Sequence, residues 1–160
     1  MENIRTVKFF KENKISKEHF ANLSKSLQTL ENNSFYEKAF TVDNLAYEFI
    51  ENPYSIIYFY YLEGELVGYL DYWVTFDTAT IFRIGVDSRY QNKGIASKLM
   101  EKMIEDIKKL DDEVFCITLE VRVSNIKAQK LYSKFDFIKF TTKPNYYENG
   151  EDALVMGRNM

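Results

Sequence analysis

Apolar residues recur at three- and four-residue steps through Phe20, Leu23, Leu27 and Leu30, which predicts an amphipathic helix, with Ser16 as its cap and Glu18 close behind. A second helix is expected after Thr41-Val42-Asp43, with Leu45, Phe49 and Ile50 facing inward and Asn52-Pro53 ending it. The period then changes. Ser55–Leu62 and Glu65–Thr75 are β-branched and aromatic runs on either side of Glu63-Gly64, the pattern of a hairpin. Phe76-Asp77-Thr78 turns the chain into a third such run, Thr80–Val86, and Thr6–Phe10 reads as a short strand ahead of all of them.

Helical spacing returns after Gly94, where Ile95, Leu99, Met103 and Ile107 form one stripe flanked by Met100, Ile104 and Leu110, up to Asp111-Asp112. Val114–Val123 is the next strand, and a helix follows from Asn125 to Phe135 with Ala128, Leu131, Tyr132 and Phe135 on one side. Phe137–Thr142 and Ala153–Arg158 close the chain as strands around the turn-rich segment Lys143–Asp152. The order β-α-α-β-β-β-α-β-α-β-β predicts an α/β (α+β) fold. Its mixed central sheet of six to seven strands, flanked by four helices, is antiparallel at first and parallel across the helix. The 160 residues carry no repeat, no low-complexity stretch and no Gly/Pro/Ser linker, so residues 1–160 are read as a single domain.

Composition narrows the chemistry. With 46% hydrophobic residues and only 2 Pro, the chain can fill a core. The net charge of -3 argues against nucleic acid as a partner, although short basic clusters lie at Lys8–Lys14 and Arg89–Lys98. Cys116 is the only cysteine and sits in an apolar alternation, where a small buried hydrophobe is expected; His19 is the only histidine. One of each gives no metal set and no Cys–His pair. Neither a secretory leader nor a membrane-length apolar run is visible, so the expectation is a cytoplasmic protein without a membrane partner.

The segment richest in chemical possibility is Ile84-Gly85-Val86-Asp87-Ser88-Arg89-Tyr90-Gln91-Asn92-Lys93-Gly94-Ile95-Ala96-Ser97. A strand ends near Val86, a polar turn follows, and a helix begins near Gly94. Helix N-termini present unpaired N–H groups and partial positive charge, which suits a diphosphate. Gly94 and Ala96 would let a ligand approach the backbone, and Lys93 and Lys98 would add charge. The spacing is neither that of a Walker loop nor that of a dinucleotide turn. On spacing alone, phosphate binding and a plain helix start with a solvated basic face stand level.

A second constellation is Leu119-Glu120-Val121-Arg122-Val123-Ser124-Asn125 with the helix behind it. Alternation puts Glu120, Arg122 and Ser124 on one strand face, and Asn125 sits where a helix cap belongs. By these residues alone Tyr132 is a core aromatic. Glu120 is an exposed strand residue paired with Arg122 or a lysine.

Gln91-Asn92-Lys93-Gly94-Ile95-Ala96 resembles the [Arg/Gln]-x-x-Gly-x-[Gly/Ala] motif of the GNAT superfamily of N-acetyltransferases, with Ala96 in place of the commoner Gly. The second constellation, the Leu131-Tyr132 pair and the tail Asn145–Met156 are similar to the ribosomal-protein-alanine (RimI) type of that superfamily, from Ile57 onward. The resemblance implies acetyl-CoA as co-substrate. Its diphosphate would lie on Asn92, Lys93, Gly94, Ile95, Ala96 and Ser97, in the turn that Gln91 opens. Pantetheine and the thioester would lie along Ile84, Gly85 and Val86 between two splayed strands, and Asn125 would also contact the cofactor. Glu120 would be the general base and Tyr132 the general acid.

Two departures stand out. Asp136 replaces a Gly before Phe137, which Asp tolerates in a left-handed backbone, and Tyr36–Thr41 replaces a Pro-Trp-Ser-like acceptor segment. The expected acceptor is a protein N-terminus, including that of a ribosomal protein, cradled by Tyr146 and Tyr147. The alternatives are a small amine (polyamine, aminoglycoside or amino acid) and a non-catalytic acyl-CoA-binding module.

Overall fold

A computed structural model describes residues 2–8, 16–35, 38–110 and 114–160. Its strands are β1 (Glu2–Lys8), β2 (Ser55–Leu62), β3 (Glu65–Thr75), β4 (Thr78–Val86), β5 (Cys116–Arg122), β6 (Ile138–Lys143) and β7 (Ala153–Asn159). Its helices are α1 (Lys17–Phe35), α2 (Val42–Ala46), α3 (Ile95–Ile107) and α4 (Ile126–Ser133). The strands form one sheet in the order β1-β2-β3-β4-β5-β7-β6. All neighbours are antiparallel except β4 and β5, which are joined through α3 and run parallel. This is the mixed sheet and four-helix complement that the element order predicts.

Helices cover both faces of the sheet, and alternation along β2 shows how. Ile57 and Phe59 pack on one side with Leu27 and Leu30 of α1, Leu45 of α2 and Phe49. Ile56, Tyr58 and Tyr60 pack on the other with Leu99, Met100 and Met103 of α3. A strand buried on both faces has no polar side to show, which is why Ser55–Leu62 reads as an almost unbroken apolar run. Burying each large side chain contributes about 1.5–3 kcal/mol, so the two layers together fix the sheet.

The ends of the elements differ from the sequence expectation in several places. The first strand starts at Glu2 rather than Thr6; Phe9 and Phe10 lie outside the described residues, as does most of the Lys8–Lys14 cluster. The second helix starts at Val42, because Thr41 Oγ1 accepts the Asn44 N–H while Asn44 Oδ1 accepts the Thr41 N–H, a reciprocal cap. It continues into a π-helical turn, Tyr47–Glu51, which the periodicity does not reveal. Helix α3 ends at Ile107, and the expected stop at Asp111-Asp112 lies outside the described residues.

Strand β5 is shorter than Val114–Val123. Cys116 is half-buried, not core, because Ile117, Leu119 and Val121 take the inward positions and turn Cys116, Thr118 and Glu120 to the other face. Asp136 does adopt a left-handed backbone, at φ 62°. Among the described residues no helix is long and apolar enough to cross a membrane.

Candidate active site

Strands β4 and β5 are paired over only part of their length. Their register runs from Thr78↔Cys116 to Ile81↔Leu119, whereas β4 continues to Val86 and β5 to Arg122. The two strands therefore form a fork. Its cause is visible on the other edge of β4. There Tyr72 pairs with Ile81 and Asp71 with Arg83, so Phe82 is an extra residue, a bulge that bends the strand.

Past the bulge, Ile84, Gly85 and Val86 form one arm of the fork. Glu120, the first residue after the last pair, begins the other. Backbone groups that lose a strand partner need another hydrogen-bonding partner, and an extended ligand with its own amides can supply it. Gly85 is held to glycine by packing: a Cβ there would lie 2.8 Å from Phe35 Cε2 of α1.

Beyond the fork the chain makes the polar turn. Asp87 is buried and caps the short turn Ser88–Tyr90 by accepting the Arg89 N–H at 2.9 Å. The Arg89 guanidinium and Asn33 Nδ2 also bond this carboxylate, and the arginine above all holds its pKa down to about 2. Arg89, although exposed, is thus engaged by carboxylates of its own chain. Gln91 ties the turn down, donating from Nε2 to Val86 O at 3.0 Å and accepting from Lys127 Nζ at 2.7 Å.

Asn92 and Gly94 then take left-handed backbones, at φ 61° and 80°. Gly94 is the N-cap of α3, no side chain caps that end, and the space around its missing Cβ is open. The first helical bond is closed by Lys98 N–H on Gly94 O at 3.0 Å. The amides of Ile95, Ala96 and Ser97 consequently precede the hydrogen-bond ladder and carry the positive end of the helix dipole. Lys93 is exposed at this turn, its Nζ 5.0 Å from the Tyr90 ring. Lys98 donates to Tyr60 Oη at 3.3 Å, toward the sheet rather than simply adding charge at the turn.

On the other arm Glu120 is half-buried and forms an ion pair with Lys143 Nζ. The same carboxylate acts on the nearby Tyr146 phenol and raises its pKa. Arg122 pairs with Glu151 at 2.9 Å instead of Glu120, and its guanidinium lies 3.7 Å over the Tyr147 ring.

Tyr146 and Tyr147 meet edge to face, with ring centroids 5.2 Å apart. Tyr132 of α4 is buried, tilted against Phe137; burial, and secondarily Tyr147, push its phenol pKa up. Tyr147 feels the charge of Glu120 too, so it stands within electrostatic reach of both expected catalytic residues. Asn125 caps α4, its Oδ1 accepting the Ala128 N–H at 3.1 Å.

Three features escape the sequence reading. Lys143 is one. Another is Glu31 of α1, fully buried, which accepts from Arg83, from the Tyr69 phenol and from the Phe40 N–H at 2.7 Å, tying the segment after α1 to β4. A glutamate four residues after Leu27 and next to Leu30, on the inward stripe, was the available signal. The third is a run of rings on the same sheet face: Trp73 stacks on Phe82 at 4.7 Å, and Phe82 meets Phe40 at 5.8 Å. The bulge turns Phe82 and Arg83, neighbours in sequence, toward the same Phe40 ring, which simple alternation forbids.

Known proteins resemble this chain in sequence and fold. A Bacillus subtilis (strain 168) protein, assigned provisionally as a [ribosomal protein bS18]-alanine N-acetyltransferase, is 36% identical over 124 residues, spanning 77% of this chain and 81% of its own length. The crystal structure of the ribosomal-protein-S18-alanine N-acetyltransferase from Escherichia coli superposes with a TM-score of 0.81 at 25% identity, covering 99% of this chain and 94% of that one. An acetyltransferase of Bacillus anthracis str. Ames, assigned provisionally to streptothricin and solved in complex with acetyl coenzyme A, gives a TM-score of 0.61 at 25% identity over 71% of this chain and 66% of its own. The model of the Acetyltransferase (GNAT) family matches residues 21–137, which takes in most of α1, the fork, the turn before α3, Glu120 and Tyr132, and the chain belongs to that family.

Proposed function

We propose that this protein is an N-acetyltransferase that moves the acetyl group of acetyl-CoA onto the α-amine of a protein N-terminus, a ribosomal protein among the candidates, by direct transfer in a ternary complex. The observation that carries the reading is the position of Glu120, a carboxylate at the point where β4 and β5 part. The diphosphate of acetyl-CoA lies on the amides from Asn92 to Ser97, in the turn that Gln91 braces, and pantetheine runs along Ile84, Gly85 and Val86. The acetyl group then reaches the fork beside Glu120. Asn125 adds a contact to the co-substrate while capping α4.

The chemistry requires a neutral amine. An N-terminal amine, with a pKa of about 8, gives up its proton far more readily than a lysine at about 10.4. Glu120 accepts that proton, directly or through a water, the amine attacks the thioester carbon, and the nitrogen sheds its second proton to water as the C–S bond breaks. Tyr132 returns a proton to the departing thiolate. Burial keeps its phenol protonated through the neutral range, as a general acid requires. No covalent enzyme intermediate is needed. The reading takes residues 1–160 as one catalytic domain that works in the cytoplasm.

The test is release of free coenzyme A from acetyl-CoA with peptides beginning in Ala, Ser or Met, set beside polyamines and free amino acids. Turnover with the peptides is expected. Turnover with the small amines alone would replace the acceptor and keep the enzyme. Glu120→Gln should lower kcat by about 10²–10⁴-fold. Full activity in that variant would remove Glu120 from the mechanism, and bound acetyl-CoA without turnover on any amine would favour an acyl-CoA-binding module.

A further inference from the structure

Lys143 is the last residue of β6. It pairs with Ala153 of β7, which in turn pairs with Arg122 of β5, so the lysine side chain crosses a whole strand to reach Glu120. Its Nζ is ion-paired with the Glu120 carboxylate and lies 5.2 Å from the centroid of the Tyr146 ring. The lysine side chain keeps 48% of its exposure and Glu120 keeps 28%. A primary amine is therefore held by a carboxylate and an aromatic ring, at the first residue past the β4–β5 fork. The amine is thus within reach of the carboxylate read as the base.

We propose that Lys143 is an internal acceptor and that the enzyme acetylates its own Lys143 when acetyl-CoA is bound and no external amine competes. The inference rests on the reading of Glu120 as the base and of the fork as the thioester site. Glu120 takes a proton from the Lys143 ammonium, and the freed Nζ lone pair attacks the thioester carbonyl carbon. The C–S bond breaks, the nitrogen gives its second proton to water, and the thiolate leaves with a proton from Tyr132, which solvent replaces. The products are Nε-acetyl-Lys143, free coenzyme A and one proton released to water.

The step is slow beside transfer to a peptide. At neutral pH roughly one lysine in a thousand is neutral, against roughly one α-amine in ten. The acetylated side chain carries no charge. Glu120 then loses its ion pair and Tyr146 its cation, so the modification rebuilds the acceptor end of the site.

The experiment incubates the full chain with acetyl-CoA and no acceptor at pH 9, and follows acetylation residue by residue by peptide mass spectrometry. Lys139, exposed on the same strand, serves as the reference for uncatalysed labelling in every sample. Lys143 should label about a hundredfold faster than Lys139, the contribution of a positioned general base, and Glu120→Gln should bring the two rates together. Equal rates in the natural chain, or a fast Lys143 that ignores Glu120→Gln, overturns the inference. Coenzyme A release with N-terminal peptides is run in parallel. Peptide turnover without fast labelling of Lys143 defeats the inference alone. Fast labelling without peptide turnover supports the inference and defeats the proposed acceptor.

Discussion

Arg83 and Glu31 meet through two bonds, Nε to Oε1 at 3.0 Å and Nη2 to Oε2 at 2.7 Å, across the contact between β4 and α1. The guanidinium lies between the rings of Phe35 and Phe40, 3.6 and 3.7 Å from their centroids, and also donates to Lys38 O at 2.9 Å. One ion pair thus joins the bulged strand that opens the fork to the backbone of the segment leading into α2. Removing one partner leaves a desolvated charge behind. Glu31→Ala should cost about 3–5 kcal/mol in urea unfolding. Arg83→Lys should recover only part of the natural stability, because an ammonium cannot form the two-pronged contact or stack between two rings.

Gly85→Ala tests the packing behind the fork. The new Cβ would lie 2.8 and 3.1 Å from Phe35 ring atoms in a buried site, so either α1 or β4 must shift. A loss of about 1–3 kcal/mol is expected by chemical denaturation. Acetyl-CoA binding, followed by calorimetry, should weaken in the same variant, because Gly85 belongs to the arm assigned to pantetheine.

Gly94→Ala separates backbone strain from crowding. The space around Gly94 is open, but its φ of 80° is one that an L-residue resists. The expected cost is about 1–2 kcal/mol with no change in core packing. A variant as stable as the natural chain would show that the turn can relax without glycine.

Tyr132→Phe removes one hydroxyl from a buried ring and leaves the packing against Phe137 in place. If the phenol protonates the thiolate, kcat should fall about 10²–10⁴-fold while the melting temperature barely moves. Unchanged turnover would return Tyr132 to a purely structural role.

Asp71 and Asp87 should respond to pH with opposite signs. Asp71 is buried against Ser55, and burial, with Glu48 adding to it, raises its pKa well above the ordinary 3.8. The folded chain then holds this proton more tightly than the unfolded chain does. That stability is full below pH 3.8 and is lost as pH climbs through the raised value. Asp71→Asn keeps an acceptor for Ser55 and cannot ionise. It should gain on the natural chain in urea midpoint from pH 4 to pH 8. Asp87, drawn down to about 2 chiefly by Arg89, contributes stability above pH 3.8 that is lost as pH falls toward 2. Asp87→Asn should therefore lose most at neutral pH and least in acid, and a pH-independent difference would contradict the assignment.

What the sequence determined by itself is local and periodic. The helical steps from Phe20 to Leu30 and from Ile95 to Ile107, the hairpin at Glu63-Gly64 and the turn around Gly94 all rest on interactions within a few residues, and they appear in the fold where expected. Motif residues on those elements, Gln91 to Ser97 and Glu120 to Tyr132, are named by their resemblance to a family pattern; spacing alone left the turn undecided and made Tyr132 a core aromatic.

Tertiary structure decided what depends on partners far apart in the chain. The fork arises because a bulge set by β3 bends β4 away from β5, and no pattern within Thr78–Val86 records the register of another strand. Glu120 meets Lys143, 23 residues on, and Glu31 meets Arg83, 52 residues on, because the sheet order brings their strands and helix together. A charged side chain states that it needs a partner when buried. Which partner it receives is settled only when the sheet is assembled.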